Sequence, residues 1–569
     1  MSKNWKISKK ATKEYLRKFK DYNPIIAQML FNRGMKDKKE AEKFLNPDYC
    51  SLYDPYLMKD IQKAVKRIIK ALDKKETMVV FGDYDVDGIT STALLYKIIK
   101  KLGGNVSFYI PNRITEGYGL NKKAIDFLKE KGVDLIITVD NGISNSKEIS
   151  WARKKGIDVV VTDHHEISQS IPKANAVIDP KQRGDKYPFK DLAGVGVAFK
   201  LAQALIEGIN KARKKEVISE GQLKWYMDLV GLGTIADMVP LVDENRVLAH
   251  FGLLVLSKTK NVGLKSLAKV GGIDLMKSDP HTVGFQIGPR LNAAGRMAHA
   301  ATALELLLSE NEGEAGVLAL RLERLNRERQ NIVKENMEEI ISQHSEKEID
   351  NILLLRDKKW TAGIIGLIAG RMADHFSRPV FCMAEESGVV KGSVRSSVGM
   401  DVVETLTFFK KYFINYGGHK NAGGFSLKSE DIKIFEEKIV EYGKNKLKAK
   451  DLVSVLNVEK EIEFGDINKK LFEKIKTFEP FGKGNEEPVF ATKKAKVMSV
   501  KEVGEGGRHL KLQLMHSKVT LGAIAFGFGE MSDNLYYGKE VDVAYKINEN
   551  TWGDRKNLEL KIEDLKLLD

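Results

Sequence analysis

Apolar and polar positions change rhythm several times along this chain, and the changes mark its domains. Short apolar runs rich in β-branched residues stand at Met78-Val79-Val80-Phe81, Leu135-Ile136-Ile137-Thr138-Val139 and Val159-Val160-Val161-Thr162, and Gly233-Thr234-Ile235-Ala236 reads as a fourth. Runs of this length separated by helix signals predict parallel strands buried on both faces. Residues 56–312 are therefore expected to form a doubly wound α/β domain. In 313–344 the apolar residues Leu318, Leu322, Leu325, Ile332, Val333, Met337, Ile340 and Ile341 recur at helical spacing. About thirty residues of helix reach on the order of 45 Å, enough to connect two domains. A second α/β domain is expected over 345–451, with Ile352-Leu353-Leu354-Leu355 as an early strand. Residues 452–569 read as all-β, with Lys494-Ala495-Lys496-Val497, Leu510-Lys511-Leu512-Gln513-Leu514, Val519-Thr520-Leu521-Gly522-Ala523-Ile524 and Val541-Asp542-Val543-Ala544-Tyr545 between Gly-rich turns, a pattern that suits a small barrel. Residues 1–55 are basic and partly helical, with Phe44-Leu45-Asn46-Pro47 closing the last helix.

Each of the four runs empties into carboxylate or imidazole. The first is followed by Gly82-Asp83-Tyr84-Asp85-Val86-Asp87-Gly88, the second by Asp140-Asn141-Gly142, the third by Asp163-His164-His165 and the fourth by Asp237. Parallel strands that end this way deliver their side chains to one crevice at the carboxyl edge of a sheet. Carboxylates so gathered repel unless cations neutralise them, and Asp mixed with neutral His suits Mn²⁺ or Mg²⁺ better than a structural zinc. Taken singly, each cluster has a plainer reading. The Asp-x-Asp-x-Asp-Gly stretch resembles part of a calcium loop, but Leu94 and Leu95 follow where a closing glutamate is needed. Asp140-Asn141-Gly142 alone is a turn sequence, Asp163-His164-His165 alone a polar loop, and Asp237 alone carries no signal. Their recurrence after strand-like runs in one stretch favours a metal centre.

The arrangement resembles the DHH phosphoesterase superfamily and, within it, the RecJ single-strand-specific exonucleases. That likeness extends along nearly the whole chain. It includes Pro111-Asn112-Arg113, Glu116-Gly117-Tyr118-Gly119-Leu120 and Gly288-Pro289-Arg290-Leu291-Asn292-Ala293-Ala294-Gly295-Arg296-Met297. In the second half it includes Trp360 with Gly363-Ile364-Ile365-Gly366, Gly392-Ser393-Val394-Arg395-Ser396 and Gly417-Gly418-His419-Lys420-Asn421-Ala422-Gly423-Gly424. The resemblance implies two divalent ions, Mn²⁺ or Mg²⁺, held by Asp85, Asp87, Asp140, His164 and Asp237, with Asp140 bridging. It places Asp83 and Asp163 behind these ligands, and His165 beside them as an orienting group or a direct participant. The pyrophosphatase branch carries a histidine ligand four residues before the position of Asp85. This chain has Phe81 there, which implies one ion with fewer protein ligands. Phosphate contact falls to Arg113, Arg290, Ser393, Arg395, Ser396 and His419, with Arg296 bracing its loop and Tyr118 either stacking on a base or packing its turn.

The implied activity is 5′-to-3′ hydrolysis of single-stranded DNA in repair and recombination. The implied C-terminal barrel is an OB-fold whose candidate contact residues are Arg508, His509, Lys511, Phe526 and Trp552. The implied protein partners are a single-strand-binding protein and a helicase, with the chain itself a monomer. Two other readings stay open: a DHH phosphodiesterase acting on short oligonucleotides or cyclic dinucleotides, and a non-catalytic nucleic-acid-binding factor. The long helix and the barrel speak against the first, since a dinucleotide needs neither. The intact ligand set speaks against the second.

Composition adds direction rather than detail. A length of 569 residues with 43% hydrophobic content supports several domains with real cores. A net charge of +15 favours a polyanionic partner. Cys50 and Cys382 fit neither a disulfide framework nor a CxxC site, and no run approaches transmembrane length, so a reducing cytoplasm with no membrane attachment is expected.

Overall fold

Five strands hydrogen-bond in parallel within the region expected to be doubly wound: β1 (Thr77–Phe81), β2 (Asn105–Tyr109), β3 (Leu135–Val139), β4 (Asp158–Thr162) and β5 (Ala176–Ile178), in the order β2-β1-β3-β4-β5. β1, β3 and β4 are rich in Val and Ile on both faces and almost wholly buried, while β2 at the sheet edge is not. That is the composition expected of a sheet covered on two sides. The computed structural model describes residues 3–113, 115–167, 170–344, 349–386, 388–552 and 555–568. They divide into two compact units, one of Asp48–Leu452 with Gly482–Gly484, the other of Met1–Pro47, Val453–Phe481 and Asn485–Asp569.

Beyond β5 the alternation of strand and helix gives way to helices: α1 (Val86–Lys101) lies within the sheet region, then come α2 (Gly194–Arg213), α3 (Met227–Ala236), α4 (Gly288–Met297) and α5 (Glu312–His344). The run Gly233-Thr234-Ile235-Ala236 corrects one expectation, because it is the last turn of α3 and not a strand. Every residue of α3 from Met227 to Ile235 is buried. A helix enclosed on all sides has no polar face and so shows no helical period in its sequence. Asp237 therefore reaches the centre from a helix C-terminus.

α5 is 33 residues long, about 50 Å of helix, and buries Leu322, Leu325, Val333 and Ile340. Val333 and Ile340 share a core with α6 (Ile365–Phe376) and with the second sheet. That sheet holds β6 (Leu353–Arg356), β7 (Val380–Glu386), β8 (Val389–Arg395), β9 (Phe413–His419) and β10 (Ala422–Lys428) in the order β9-β10-β8-β7-β6. Only β6 and β7 run parallel in it.

In the smaller unit, β11 (Phe490–Val503), β12 (His509–His516), β13 (Val519–Phe526), β14 (Glu540–Trp552) and β15 (Arg555–Leu567) follow the order β11-β12-β13-β15-β14, and β14 closes back on β11. The result is a closed five-stranded barrel. β15 is absent from the sequence reading, although Leu558, Leu560 and Ile562 alternate as a strand requires. The N-terminal segment belongs to this unit: Asn4–Ile7 pairs in parallel with Val455–Val458, and Ile25, Ile26, Met29 and Leu30 share a core with Phe464, Phe478 and Leu512. On the barrel, Arg508, Lys511 and Phe526 are exposed and His509 packs edge-on against Phe526 at 5.2 Å. The side chain of Trp552 lies outside the described residues.

Candidate metal centre

At the end of β1 the chain turns through Gly82–Tyr84 and starts α1 with Asp85 as the N-cap. The Oδ1 of Asp85 accepts from the amides of Asp87 at 2.9 Å and Gly88 at 3.2 Å. Asp87, in the first turn, is aimed at a second helix start. Its Oδ2 accepts from Gly194 N–H at 2.7 Å and its Oδ1 from Val195 N–H at 2.8 Å, the first residues of α2. Only glycine fits at 194, because a Cβ there would stand 2.7 Å from the Asp140 Cβ and 2.9 Å from the Asp87 Oδ2. Asp140 ends β3 in the left-handed region, φ 59°, which swings its carboxylate inward. Its carbonyl accepts from the Tyr118 hydroxyl at 2.8 Å, so Tyr118 braces the loop.

These elements meet on one imidazole. His164 Nε2 lies 3.1 Å from Asp140 Oδ1 and 3.8 Å from an oxygen of each of Asp87 and Asp237. Three groups of possible ligand atoms lie within 4.8 Å of one another: Asp87, His164 and Asp237; Asp83, Asp85 and Asp140; and Asp140, His164 and His165. Asp140 belongs to two of them, and so does His164. Asp83, expected behind the ligands, lies within reach of Asp85 and Asp140. It is buried, and its Oδ1 finds no hydrogen-bond partner among the described residues. With Asp85 and Asp140 it makes up one of the three groups, and the Phe81 ring is stacked on Tyr109 at 5.1 Å in the core. Asp163 is instead fully engaged. One oxygen accepts from the amides of His164 and His165 and from His165 Nδ1 at 2.8 Å, the other from Ile143 N–H at 2.9 Å.

Electrostatics set the protonation states. Burial and then the charge of Asp85 push Asp87 up to about 7, and burial with mutual repulsion raises Asp140 and Asp237 well above the carboxylate range. Asp83 is raised in the same way, by burial and by Asp85. Burial and the neighbouring His165 hold His164 down to about 3, so it stays neutral with a lone pair to offer. Burial opposes the charge on His165, but its bond to Asp163 and the surrounding carboxylates raise it to about 9. Oxygen and neutral imidazole donors that cannot all ionise together, one with an orphaned oxygen, fit hard divalent cations. The sequence reading missed Asp179, wholly buried at the end of β5, raised by burial to about 7, with Oδ2 unpartnered among the described residues. The signal was there: Ala176-Val177-Ile178 is followed directly by Asp, as Leu135–Val139 and Asp158–Thr162 are.

Beside the carboxylates lies an excess of guanidinium. Burial and then Arg113, Arg329 and Arg395 depress Arg296 to about 9. Arg113 lies over the Tyr84 ring at 4.7 Å, and Arg395 Nη1 donates to Ser393 Oγ at 3.0 Å and to the Val394 carbonyl at 2.8 Å. Arg296 donates to the Gly363 carbonyl at 3.1 Å, which joins α4 to the second α/β region. Arg329 is a residue the sequence reading passed over. It is 7% exposed on α5, bonds Asn326 Oδ1 at 2.8 Å, and leaves its Nε without a partner among the described residues. Two of the residues expected at phosphate already have partners within the protein. Arg290 Nε pairs with Glu323 at 2.7 Å while Nη1 donates to the Gln286 carbonyl, because α5 lies directly against its helix. Ser396 is buried with its hydroxyl donating to the Val398 carbonyl at 2.7 Å. His419 is exposed at the end of β9, close enough to His165 to feel its charge.

Known proteins carry the same parts. The DHH family N-terminal domain matches residues 77–234, the DHHA1 domain 350–445 and the RecJ OB domain 458–564. The single-stranded-DNA-specific exonuclease RecJ of Bacillus subtilis is 37% identical over 95% of this chain and 68% of its own length. RecJ of Haemophilus influenzae is 32% identical over 96% of this chain and 97% of its own. A crystal structure of RecJ from Thermus thermophilus in complex with Mn²⁺ superposes with a TM-score of 0.85 at 29% identity, covering 100% of this chain and 80% of that one, and the Mg²⁺ complex gives 0.79.

Proposed function

The chain belongs to the RecJ family of single-stranded-DNA-specific exonucleases, and we propose that it removes nucleotides from the 5′ end at the centre around His164. It is a hydrolase of single-stranded DNA that takes Mn²⁺ or Mg²⁺ as cofactor. Asp87, His164 and Asp237 would hold one ion and Asp83 and Asp85 the other, with Asp140 shared. When bound, such ions supply Lewis acidity that activates water and neutralises charge developing on the phosphodiester oxygens. The protein's own groups do the rest. The Asp163 carboxylate fixes both imidazoles, and its bond to His165 Nδ1 leaves the Nε2 side of that ring for the substrate. The bond to Asp163 and the surrounding carboxylates raise the pKa of His165 against the effect of burial, which favours a charged ring on the side offered to the substrate.

Arg113, Arg296, Arg329 and Arg395 crowd together with little compensating charge, an arrangement stabilised by an anion. Guanidinium groups grip phosphate bidentately, and a terminal phosphate offers more free oxygens than an internal diester. That favours a 5′-phosphorylated end. The observation that carries the reading is the meeting of three carboxylates on the neutral His164, beside this arginine cluster.

A role in DNA repair and recombination is consistent with the family. A single-strand-binding protein and a helicase are its proposed protein partners, and the chain its own monomer. No helix among the described residues is long and apolar enough to cross a membrane. The test is a pair of oligonucleotides, one labelled at 5′ and one at 3′, digested with Mn²⁺ and spared with EDTA. Immediate release of the 5′ label as mononucleotide supports the proposal. Activity confined to dinucleotides would favour the small-substrate phosphodiesterase, and no cleavage at all a binding factor.

A further inference from the structure

Gly482–Gly484 lies in sequence among residues of the smaller unit yet packs with the larger one. Three contacts fasten it to the chain that has just left Asp237. The carbonyl of Lys483 accepts from Leu241 N–H at 2.7 Å. Gly482 lies so close to Leu241 that a Cβ would stand 2.6 Å from its Cδ1. Gly484, at φ +75°, would carry a Cβ 3.2 Å from that of Pro240. Pro240 is itself held, since its carbonyl accepts from Asn245 Nδ2 at 3.1 Å while the same amide donates to Asp191 at 2.6 Å. Two glycines that permit close approach and an anchored peptide carbonyl fix the starting point of the one side chain between them.

That side chain is exposed, and its ammonium makes no hydrogen bond or ion pair among the described residues. Its charge is nevertheless felt by Asp237 from the catalytic half and by His419 from the β9–β10 hairpin. A lysine kept simply to balance carboxylates would be expected to pair with one. This one stands free at the rim, where a bound divalent ion repels it and a phosphate on the strand attracts it. We propose that Lys483 contacts a backbone phosphate of the DNA strand beside Asp237 and so positions the scissile diester. The proposal rests on the exonuclease reading above and adds a residue from outside the matched DHH and DHHA1 segments.

The experiment compares the full-length wild type with Lys483→Gln and Lys483→Arg on a 5′-phosphorylated single-stranded oligonucleotide, at saturating Mn²⁺ for KM and salt slope and over a Mn²⁺ titration for half-saturation. EDTA-sensitive digestion by the wild type tests the exonuclease reading alone, and its absence would sink that reading whatever the variants do. For Lys483→Gln, KM should rise about tenfold, as the loss of one charge-assisted hydrogen bond implies. The slope of log kcat/KM against log salt should become shallower by about 0.7, the share of one phosphate on a single strand. Lys483→Arg should keep most of both. If Lys483 is only a counter-charge, KM and salt slope stay at wild-type values while half-saturation by Mn²⁺ tightens, and that result overturns the proposal. The salt slope is a property of the molecules that bind, so it reads the lysine even if the neutral variant melts earlier.

Discussion

Asp140 belongs to two of the three candidate ligand groups and lies 3.1 Å from His164 of the third, and that sets the order of severity expected among single substitutions. Asp140→Ala should lower turnover by at least two orders of magnitude, because both ion positions lose an oxygen. Asp83→Ala, in view of its orphaned Oδ1, should come close to it and should also weaken Mn²⁺ binding measured by calorimetry. Unchanged metal affinity in Asp83→Ala would return that residue to an orienting role. Arg395→Ala is expected to bring the cutting rates of 5′-phosphate and 5′-hydroxyl strands together, with Arg329→Met acting in the same direction, and an unchanged ratio would remove them from the phosphate site. Most of these residues were readable in the sequence because chemistry concentrates in unusual clusters: a run of alternating aspartates or an Asp-His-His triplet has few structural uses. Arg329 was not readable, since an arginine in a helix full of arginines becomes informative only once its burial and its Nε, unpartnered among the described residues, are seen. Asp179, by contrast, was legible as the residue that follows a buried strand and was overlooked. Arg290 and Ser396 show the converse, residues inside matching motifs whose bonding groups are largely consumed by their neighbours.

The elements explain why those clusters converge. The three strand-end clusters follow from buried Val and Ile runs that the sequence displays openly, and the helix Glu312–His344 from its apolar spacing. α3 was misread because total burial erases amphipathic period, whereas β15 was legible in the alternation of Leu558, Leu560 and Ile562 with charged residues and was passed over. The start of α2 is the tightest joint. Gly194→Ala must displace Asp87 or Asp140, and at about 1–3 kcal/mol of overpacking it should cost activity well before it unfolds the chain. A melting curve beside a rate assay separates the two. α3 also carries Asp228, buried and bonded to Thr259, with its pKa raised by burial to about 6. An acid raised in the folded state binds its proton more tightly there than when unfolded. Its ionisation therefore erodes stability as pH rises from about 4 through about 6, with no further loss above. Asp228→Asn should melt higher than wild type at pH 7.5 and lose that advantage near pH 4.5. An equal difference at both pH values would show that the carboxylate is stabilised in some other way.

At the scale of the whole molecule, the basic net charge and the barrel point to the same partner from different directions. A barrel with Arg508, Lys511 and Phe526 exposed offers cations and a stacking face, and OB-folds occupy about 4–16 nucleotides of single strand. Removing it is less simple than the chain order suggests, because Met1–Pro47 folds with it. A cut at Leu452 alone would leave Ile25, Ile26, Met29 and Leu30 without their core and would aggregate for reasons unrelated to DNA. The informative comparison is a chain shortened at both ends, to residues 48–452, with a cooperative thermal transition as the condition for using it. That chain should bind long oligonucleotides more weakly than full-length protein and with a shallower slope of log affinity against log salt, since each lost phosphate contact removes about 0.7. It keeps every proposed metal ligand, the last being Asp237, so digestion of very short strands at saturating substrate should survive. It also lacks Lys483, whose share can be subtracted by measuring Lys483→Gln in the full-length protein. If the slope lost on shortening equals the slope lost in Lys483→Gln, the barrel contributes no phosphate contacts of its own, and its exposed face belongs to a protein partner instead.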